Sequence, residues 1–191
     1  MPKPPPPPPF YRFANVLVGF VLRRFFGLRV HGLEHVPASG AFVLGANHIS
    51  SWDPPVVGVA LPREVHFMAK KELFESWLIG RISRGLRAFP VDRDANDIGA
   101  IKEALRRIQQ GHAVGVFFEG TRNRGLDEGV HQGAAFLAQR AGVPLLPTAL
   151  WREGRAFHVA FGKPLVPEGK GRDEMTDLTH RLTAQVRELL P

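Results

Sequence analysis

The 191-residue chain has no cysteine. Disulfides, thiolate nucleophiles and cysteine-ligated metals are therefore excluded, and the compartment is left open. It has no G-x-S-x-G turn, which a serine hydrolase of the α/β class would carry. Its eight histidines are scattered and predict no metal site. No carboxylate stands before Glu34, although Lys3, Arg12, Arg23, Arg24 and Arg29 precede it. The apolar stretch inside that basic region, residues 13–22, falls short of the roughly 20 residues that cross a bilayer. A secretory leader is not expected either. Arg23-Arg24-Phe25-Phe26 follows the run where small residues would be needed, and a proline tract precedes it.

What is present is an ordinary globular balance, 44% hydrophobic and 23% charged, in a length that suits one domain with a real core. The net charge of +7 and pI near 10.5 call for an anionic partner. The basic, acid-free start with its apolar run suits a helix lying in a membrane interface, with arginines at anionic headgroups. The plainer alternative is a helix docked on the domain. The organisation expected is a disordered, polyproline II tail over 1–9, an interface helix over 10–28 and the main domain over 29–191. Nucleic acid is not expected, because carboxylates interleave the basic clusters and aromatic stacking patterns are absent.

Periodicity predicts helix from about Tyr11 to Phe26, strand at 41–46 and helix from Pro54. Strand follows at 64–70, one helix over 71–86 and a short strand at 87–91. Ile98, Ile101, Leu105 and Ile108 make one stripe of a helix capped by Asn96 or Asp97 and ended by Gly111. A strand at 113–118, a helix at 131–142, a proline-shortened strand at 143–151, an edge strand at 155–162 and a helix at 173–190 complete the chain. Strands alternating with helices give an α/β layer fold, a mostly parallel mixed sheet flanked by helices.

The richest stretch is FVLGANHISSWDPP, residues 42–55. A strand ends in Asn47-His48, and Asp53 follows with two prolines, which reads as an N-cap before a helix with proline at its first position. His48 then lies at the carboxyl end of a strand, where open α/β sheets build their sites. A carboxylate at the other end of a short loop can fold back and make the imidazole a general base. Asp92-Arg93 and Glu119-Gly120-Thr121-Arg122 follow two further predicted strands. A base, its carboxylate and two arginines describe a site that deprotonates something beside an anion. The spacing Gly115 to Gly120-Thr121 hints at a phosphate loop, but Thr121 occupies the essential lysine position and Glu119 would face the phosphates.

Together these motifs resemble the 1-acylglycerol-3-phosphate acyltransferase family, marked by N-H-x4-D. Residues 47–53 match that motif completely, and Gly32-Leu33-Glu34-His35-Val36-Pro37 resembles its lead-in. Ala69-Lys70-Lys71-Glu72-Leu73-Phe74, Phe89-Pro90-Val91-Asp92-Arg93, Phe117-Phe118-Glu119-Gly120-Thr121-Arg122 and Val143-Pro144-Leu145-Leu146-Pro147 are similar to its later segments. The likeness covers about residues 28–165. Phe118 stands where the family has proline, and Asn123 where it usually has serine.

The resemblance implies a glycerolphosphate-acyltransferase-like fold with an N-terminal amphipathic helix. It implies direct acyl transfer from a thioester, acyl-coenzyme A or acyl carrier protein, to the hydroxyl of lysophosphatidate, with no resident cofactor and no metal. Asp53 would orient His48 as base. Arg93 and Arg122 would hold the acceptor phosphate, with Lys70 or Lys71 adding charge. Glu119 would fix Arg122 or touch the acceptor, and backbone around Gly120 and Thr121 would supply oxyanion donors. Val143, Pro144 and Pro147 would shape the acyl-chain region. Glycerol 3-phosphate, another lysolipid or a glycolipid are alternative acceptors, and a non-catalytic basic membrane module is the rival outside enzymes. The implied place is the periphery of the cell membrane on its cytoplasmic face.

Overall fold

The computed structural model describes residues 5–92, 98–118 and 128–191. The apolar, β-branched runs become strands β1 (Arg29–His31), β2 (Val43–Asn47), β3 (Val65–Lys70), β4 (Phe89–Val91), β5 (Ala113–Phe118), β6 (Leu145–Glu153) and β7 (Ala156–Phe161). The 3.6-period segments become helices α1 (Pro9–Phe26), α2 (Asp53–Ala60), α3 (Trp77–Gly85), α4 (Ile98–Gln109), α5 (Glu128–Ala141) and α6 (Arg172–Leu189). Short 3-10 turns occupy Leu33–His35 and Lys71–Phe74.

The strands form one sheet in the order β1-β7-β6-β2-β5-β3-β4. β6, β2, β5, β3 and β4 run parallel, and β7 turns back antiparallel on β6 with β1 parallel beside it. The mixed, mostly parallel sheet read from the sequence is the one observed. Both faces are covered at the centre of the sheet, so β2 is buried at every residue, as inner parallel strands are. On β2, Leu44 and Ala46 enter the core beneath α1 and α2, whereas Val43 enters the core with α4, α5 and α6. Gly45 points the same way as Val43. A Cβ there would stand 2.9 Å from Leu182, so its absence lets α6 approach the sheet.

Four sequence expectations change. The segment 71–86 is not one helix, because Ser76 accepts a hydrogen bond from the Ile79 N–H and starts α3 afresh after the 3-10 turn. β6 is not shortened by its prolines and runs nine residues. Pro147 lies opposite Gly162, just beyond the terminal β6–β7 pair of Thr148 with Phe161; its carbonyl takes the Gly162 N–H at 2.8 Å, so the one ladder bond that its ring removes falls at the end of the pairing. β7 is not an edge strand, since β1 pairs along its outer side. The helix expected at 131–142 begins earlier, at Glu128.

α1 docks by one face. The Tyr11 hydroxyl accepts the Val65 N–H at 3.3 Å, the Asn15 amide donates to the Gly58 carbonyl at 3.2 Å, and Leu22 is buried. Gly27, at φ 56°, ends the helix in the left-handed region that glycine tolerates. The docked and the lipid-facing readings of this helix are therefore compatible, because its other face is left exposed.

Two features tie the sheet at opposite ends. At the carboxyl end of β2, where the β2–β6 ladder stops at Ala46 with Thr148, the Asn47 side chain takes over. Its amide donates to the Leu150 carbonyl at 2.8 Å, and its oxygen accepts the Leu150 N–H at 2.7 Å. At the amino end, Glu64, His66 and His112 form a buried polar cluster with Arg87 and Arg107. Arg87 reaches Glu64 at 2.6 Å, and Arg107 donates to His66 Nδ1 at 2.9 Å. Arginine cannot accept, so Nδ1 is the acceptor and the proton of neutral His66 sits on Nε2, 3.4 Å from Glu64. Burial holds His66 below its ordinary value, aided by the arginines against the pull of Glu64. Burial and the neighbouring His66 push His112 down to about 4. Burial alone would raise Glu64, but hydrogen bonds from His66 and Arg87 hold it low.

These ends generate two expectations. Asn47→Ala strands a donor and an acceptor of Leu150 inside the sheet and lowers stability by about 2–4 kcal/mol, read from urea unfolding. The neutral histidines bind fewer protons folded than unfolded, so stability is complete above about pH 6.5 and falls as pH drops toward the folded value of His112, about 4. Thermal melts between those limits will show a shallower acid loss in His112→Gln than in the parent.

Candidate active site

The carboxyl ends of β2, β5, β3 and β4 open on one side of the sheet, and the chain leaves β2 there through His48. His48 Nδ1 lies 2.6 Å from Asp53 Oδ2, and the same oxygen accepts the N–H groups of Ile49 at 2.7 Å and Ser50 at 2.8 Å. The carboxylate is fully buried while the imidazole is 24% exposed. With two backbone N–H groups already donating to this oxygen, the ring donates to it as well, which places the His48 proton on Nδ1. The Nε2 lone pair is then free to take a proton. The ring packs against Phe117 of β5 at 4.9 Å between centroids, and Phe117 stacks in turn on Phe67 at 5.2 Å.

Asp53 is not the N-cap that its sequence context suggests. It is the first residue of α2, and its side chain turns back into the loop instead of forward to the helix. The reason lies in the prolines. A cap at Asp53 would need the N–H of the second or third helical residue. The second would be Pro55, which has none, and the third, Val56, already donates to the Trp52 carbonyl at 2.9 Å. With nothing ahead to cap, the carboxylate is available to the His48 loop.

Lys70 ends β3, and Lys71 follows it with its ammonium paired to Asp92 just past β4. Both lysines are therefore on the same side of the sheet as His48. β5 ends at Phe118, level with Asn47. Arg93, Glu119, Gly120, Thr121, Arg122 and Asn123 fall outside the described residues. Val143 and Pro144 lie at the opposite end of the sheet, where the Pro144 carbonyl accepts the Val43 N–H at 2.9 Å. Pro147 sits mid-strand beside Gly45. These three are thus not gathered with His48.

An apolar cleft of ≈ 190 Å³ adjoins the histidine loop. Its walls come from α1 (Tyr11, Ala14, Val18), from Ser51 and Pro54 at the start of α2, and from Leu73 and Leu86 around α3. The sequence reading missed this cleft. Its one signal was the run of small or ring-shaped residues, Ala14, Pro54, Pro55 and Gly58, on faces that would otherwise be filled. It also missed the joint duty of Asn47, a residue of the motif itself.

Among the described residues, one group could hold a metal ion, Glu64, His66 and His112. Two of its three members are already engaged. Arg87 covers Glu64, Arg107 occupies His66 Nδ1, and two guanidinium charges beside the site oppose a cation.

The family model described as Acyltransferase matches residues 27–151. A 1-acyl-sn-glycerol-3-phosphate acyltransferase of Bacillus subtilis is 31% identical over 94% of this chain and 96% of its own length. A protein of the same name from Streptococcus pneumoniae is 31% identical over 72% of this chain and 53% of its own. The crystal structure of the 1-acyl-sn-glycerophosphate (LPA) acyltransferase PlsC from Thermotoga maritima shares the fold. It has a TM-score of 0.69 at 23% identity, covering 94% of this chain and 80% of that one. With the family model spanning most of the chain and a relative matched almost end to end, this protein belongs to the acyltransferase family and is an acyltransferase.

Proposed function

We propose that the chain transfers a fatty acyl group from a thioester, acyl-coenzyme A or acyl carrier protein, to the free hydroxyl of lysophosphatidate, giving phosphatidate. The observation that carries this reading is the His48–Asp53 pair, whose hydrogen bonding leaves Nε2 of His48 as the open acceptor. The names of the relatives supply the acceptor, since they are called 1-acyl-sn-glycerol-3-phosphate acyltransferases.

In this mechanism the acceptor hydroxyl oxygen attacks the thioester carbonyl carbon as its proton moves to His48 Nε2. The buried Asp53 carboxylate holds the ring in place and offsets the charge of the imidazolium that forms. The tetrahedral intermediate then expels the thiolate, which takes the proton from Nε2, and His48 returns to its starting state. No covalent enzyme intermediate is needed, and no resident cofactor or metal takes part. Arg93 and Arg122 are assigned to the acceptor phosphate, where bidentate guanidinium pairing suits the anion. Backbone N–H groups around Gly120 and Thr121 are assigned to the oxyanion, and Glu119 to positioning Arg122. The cleft between α1 and α3 is assigned to an acyl chain, because its walls are apolar and Ser51 and Pro54 belong to the histidine loop.

The substrates and product partition into membranes, which suits peripheral attachment through α1. Among the described residues no helix is long and apolar enough to cross a bilayer. The basic, acid-free N-terminal region would meet anionic lipid at the cytoplasmic face.

Thiol release from palmitoyl-coenzyme A in detergent micelles tests the assignment. Release will require lysophosphatidate and fall by about 10²–10⁴-fold in His48→Ala, with the melting midpoint retained. Full turnover in folded His48→Ala sinks the base assignment, and indifference to lysophosphatidate across both donors sinks the acceptor. Asp53→Asn keeps the size of the side chain but removes its charge. Turnover will fall with KM for the acyl donor little changed, because the loss falls on orienting the base.

A further inference from the structure

Short helices in water owe their stability to an apolar face packed on the domain. α3 reverses this arrangement. Its one buried residue is Gly80, lodged against the Phe74 backbone, where a Cβ would stand 2.8 Å from the carbonyl oxygen. Trp77 is 75% exposed, and Leu78, Ile79 and Ile82 are exposed with it. No part of the catalytic scheme uses these four side chains.

α1 presents the same anomaly. The helix buries Tyr11, Gly19 and Leu22, yet Phe10, Phe13, Val16, Leu17 and Phe20, spaced along its opposite face, are exposed, Val16 by 73%. A helix apolar on both sides has a second environment to satisfy. The two helices are neighbours. The Phe10 ring lies where a Cβ on Gly85 would be 2.5 Å away, and both helices wall the same apolar cleft. Exposed apolar area on two adjacent elements far exceeds the isolated leucine or phenylalanine of an ordinary surface.

Charge identifies the occupant. Arg12, Arg23 and Arg24 lie on α1, and Arg81 and Arg84 on α3, against Glu72 and Glu75 in the turn before α3. Arg81 lies over the Trp77 ring at 5.7 Å and Arg84 over Phe74 at 5.4 Å, pairing cation with aromatic at the surface. A second copy of this chain seated on the patch would bring arginine against arginine across a two-fold axis. An anionic bilayer meets both requirements at once, acyl chains for the aromatics and headgroups for the guanidinia.

We infer that α3 is a second lipid-docking element, and that α1 and α3 lie together on an anionic membrane surface with the cleft between them. This rests on the assignment of α1 to the membrane made above and adds α3 to it. Lipid contact on both walls seats the cleft at the bilayer, from which an acyl chain enters it without crossing water.

The test uses the full chain. A Trp52→Phe/Trp151→Phe protein keeps Trp77 as its sole tryptophan, and its emission is followed on phosphatidylcholine vesicles with and without phosphatidylglycerol, carrying brominated acyl chains. Trp77 will shift to the blue and be quenched on the anionic vesicles. Separately, Trp77→Ser/Leu78→Ser and Phe13→Ser/Val16→Ser are compared by vesicle co-sedimentation. Each will lower partitioning by about tenfold or more. The α3 variant lines no part of the cleft, so its turnover on micellar lysophosphatidate will be unchanged. Unchanged Trp77 emission on vesicles that the protein binds overturns the inference, as does wild-type partitioning by the α3 variant. Sedimentation equilibrium showing a dimer that the α3 variant dissociates assigns the face to a second copy and overturns it too. Wild-type partitioning by the α1 variant removes the α1 assignment instead. Vesicle binding without acyl transfer removes the proposed function and leaves α3 at the membrane.

Discussion

The site depends on where one buried carboxylate points. Asp53 is fully buried, and a polar group out of water is costly unless it is hydrogen-bonded, so its carboxylate needs donors close by. It gathers three, the imidazole of His48 and the N–H groups of Ile49 and Ser50. Those bonds close the loop between β2 and α2 onto itself. They fix the ring tautomer and the path of the loop with the same oxygen, so loop shape and ring orientation are one constraint. The two prolines that follow are part of it, because Pro55 removes the N–H that would have drawn the carboxylate forward into α2.

The parallel sheet gives the molecule two unlike ends. At the carboxyl end, His48, Lys70 and Lys71 face outward, and Asn47 joins β2 to β6 beyond the point where the backbone ladder stops. At the amino end the polar groups are turned inward and spent on each other, Glu64 with Arg87 and His66 with Arg107. Arg63 belongs to the same end. It donates to the carbonyls of Pro37 and Gly40 and lies over Phe42, tying the loop before β2 to the domain. The end where strands finish is thus the one left with polar side chains turned toward solvent.

Most of the fold was legible because it rests on period and punctuation. The stripe Ile98, Ile101, Leu105, Ile108 is a helix, and the unbroken run at 113–118 is a strand. What escaped depends on partners distant in sequence. Pro147 is tolerated in β6 only because the β6–β7 ladder begins one residue later, and β7 is internal only because three residues of β1 come back to it. The break at Ser76 was hidden because apolar residues continue on both sides of it. At the site, the histidine and carboxylate were legible from their spacing, and the five-residue loop does bring them together. The bond from Asn47 to Leu150 and the packing of Phe117 on His48 were not, since each is set by a neighbour in space.

The double-sided nature of α1 sets how this chain can be handled. One face is a wall of the cleft and a lid on the core through Tyr11 and Leu22, and the other is apolar and outward. Trimming the helix to gain solubility would open the interior along with the surface. A water-loving form of this protein must be made by repainting, with polar residues at Phe13, Val16 and Phe20 and the inner face untouched. Outward apolar face and inner architecture share one backbone here, and they can be separated only by side chain.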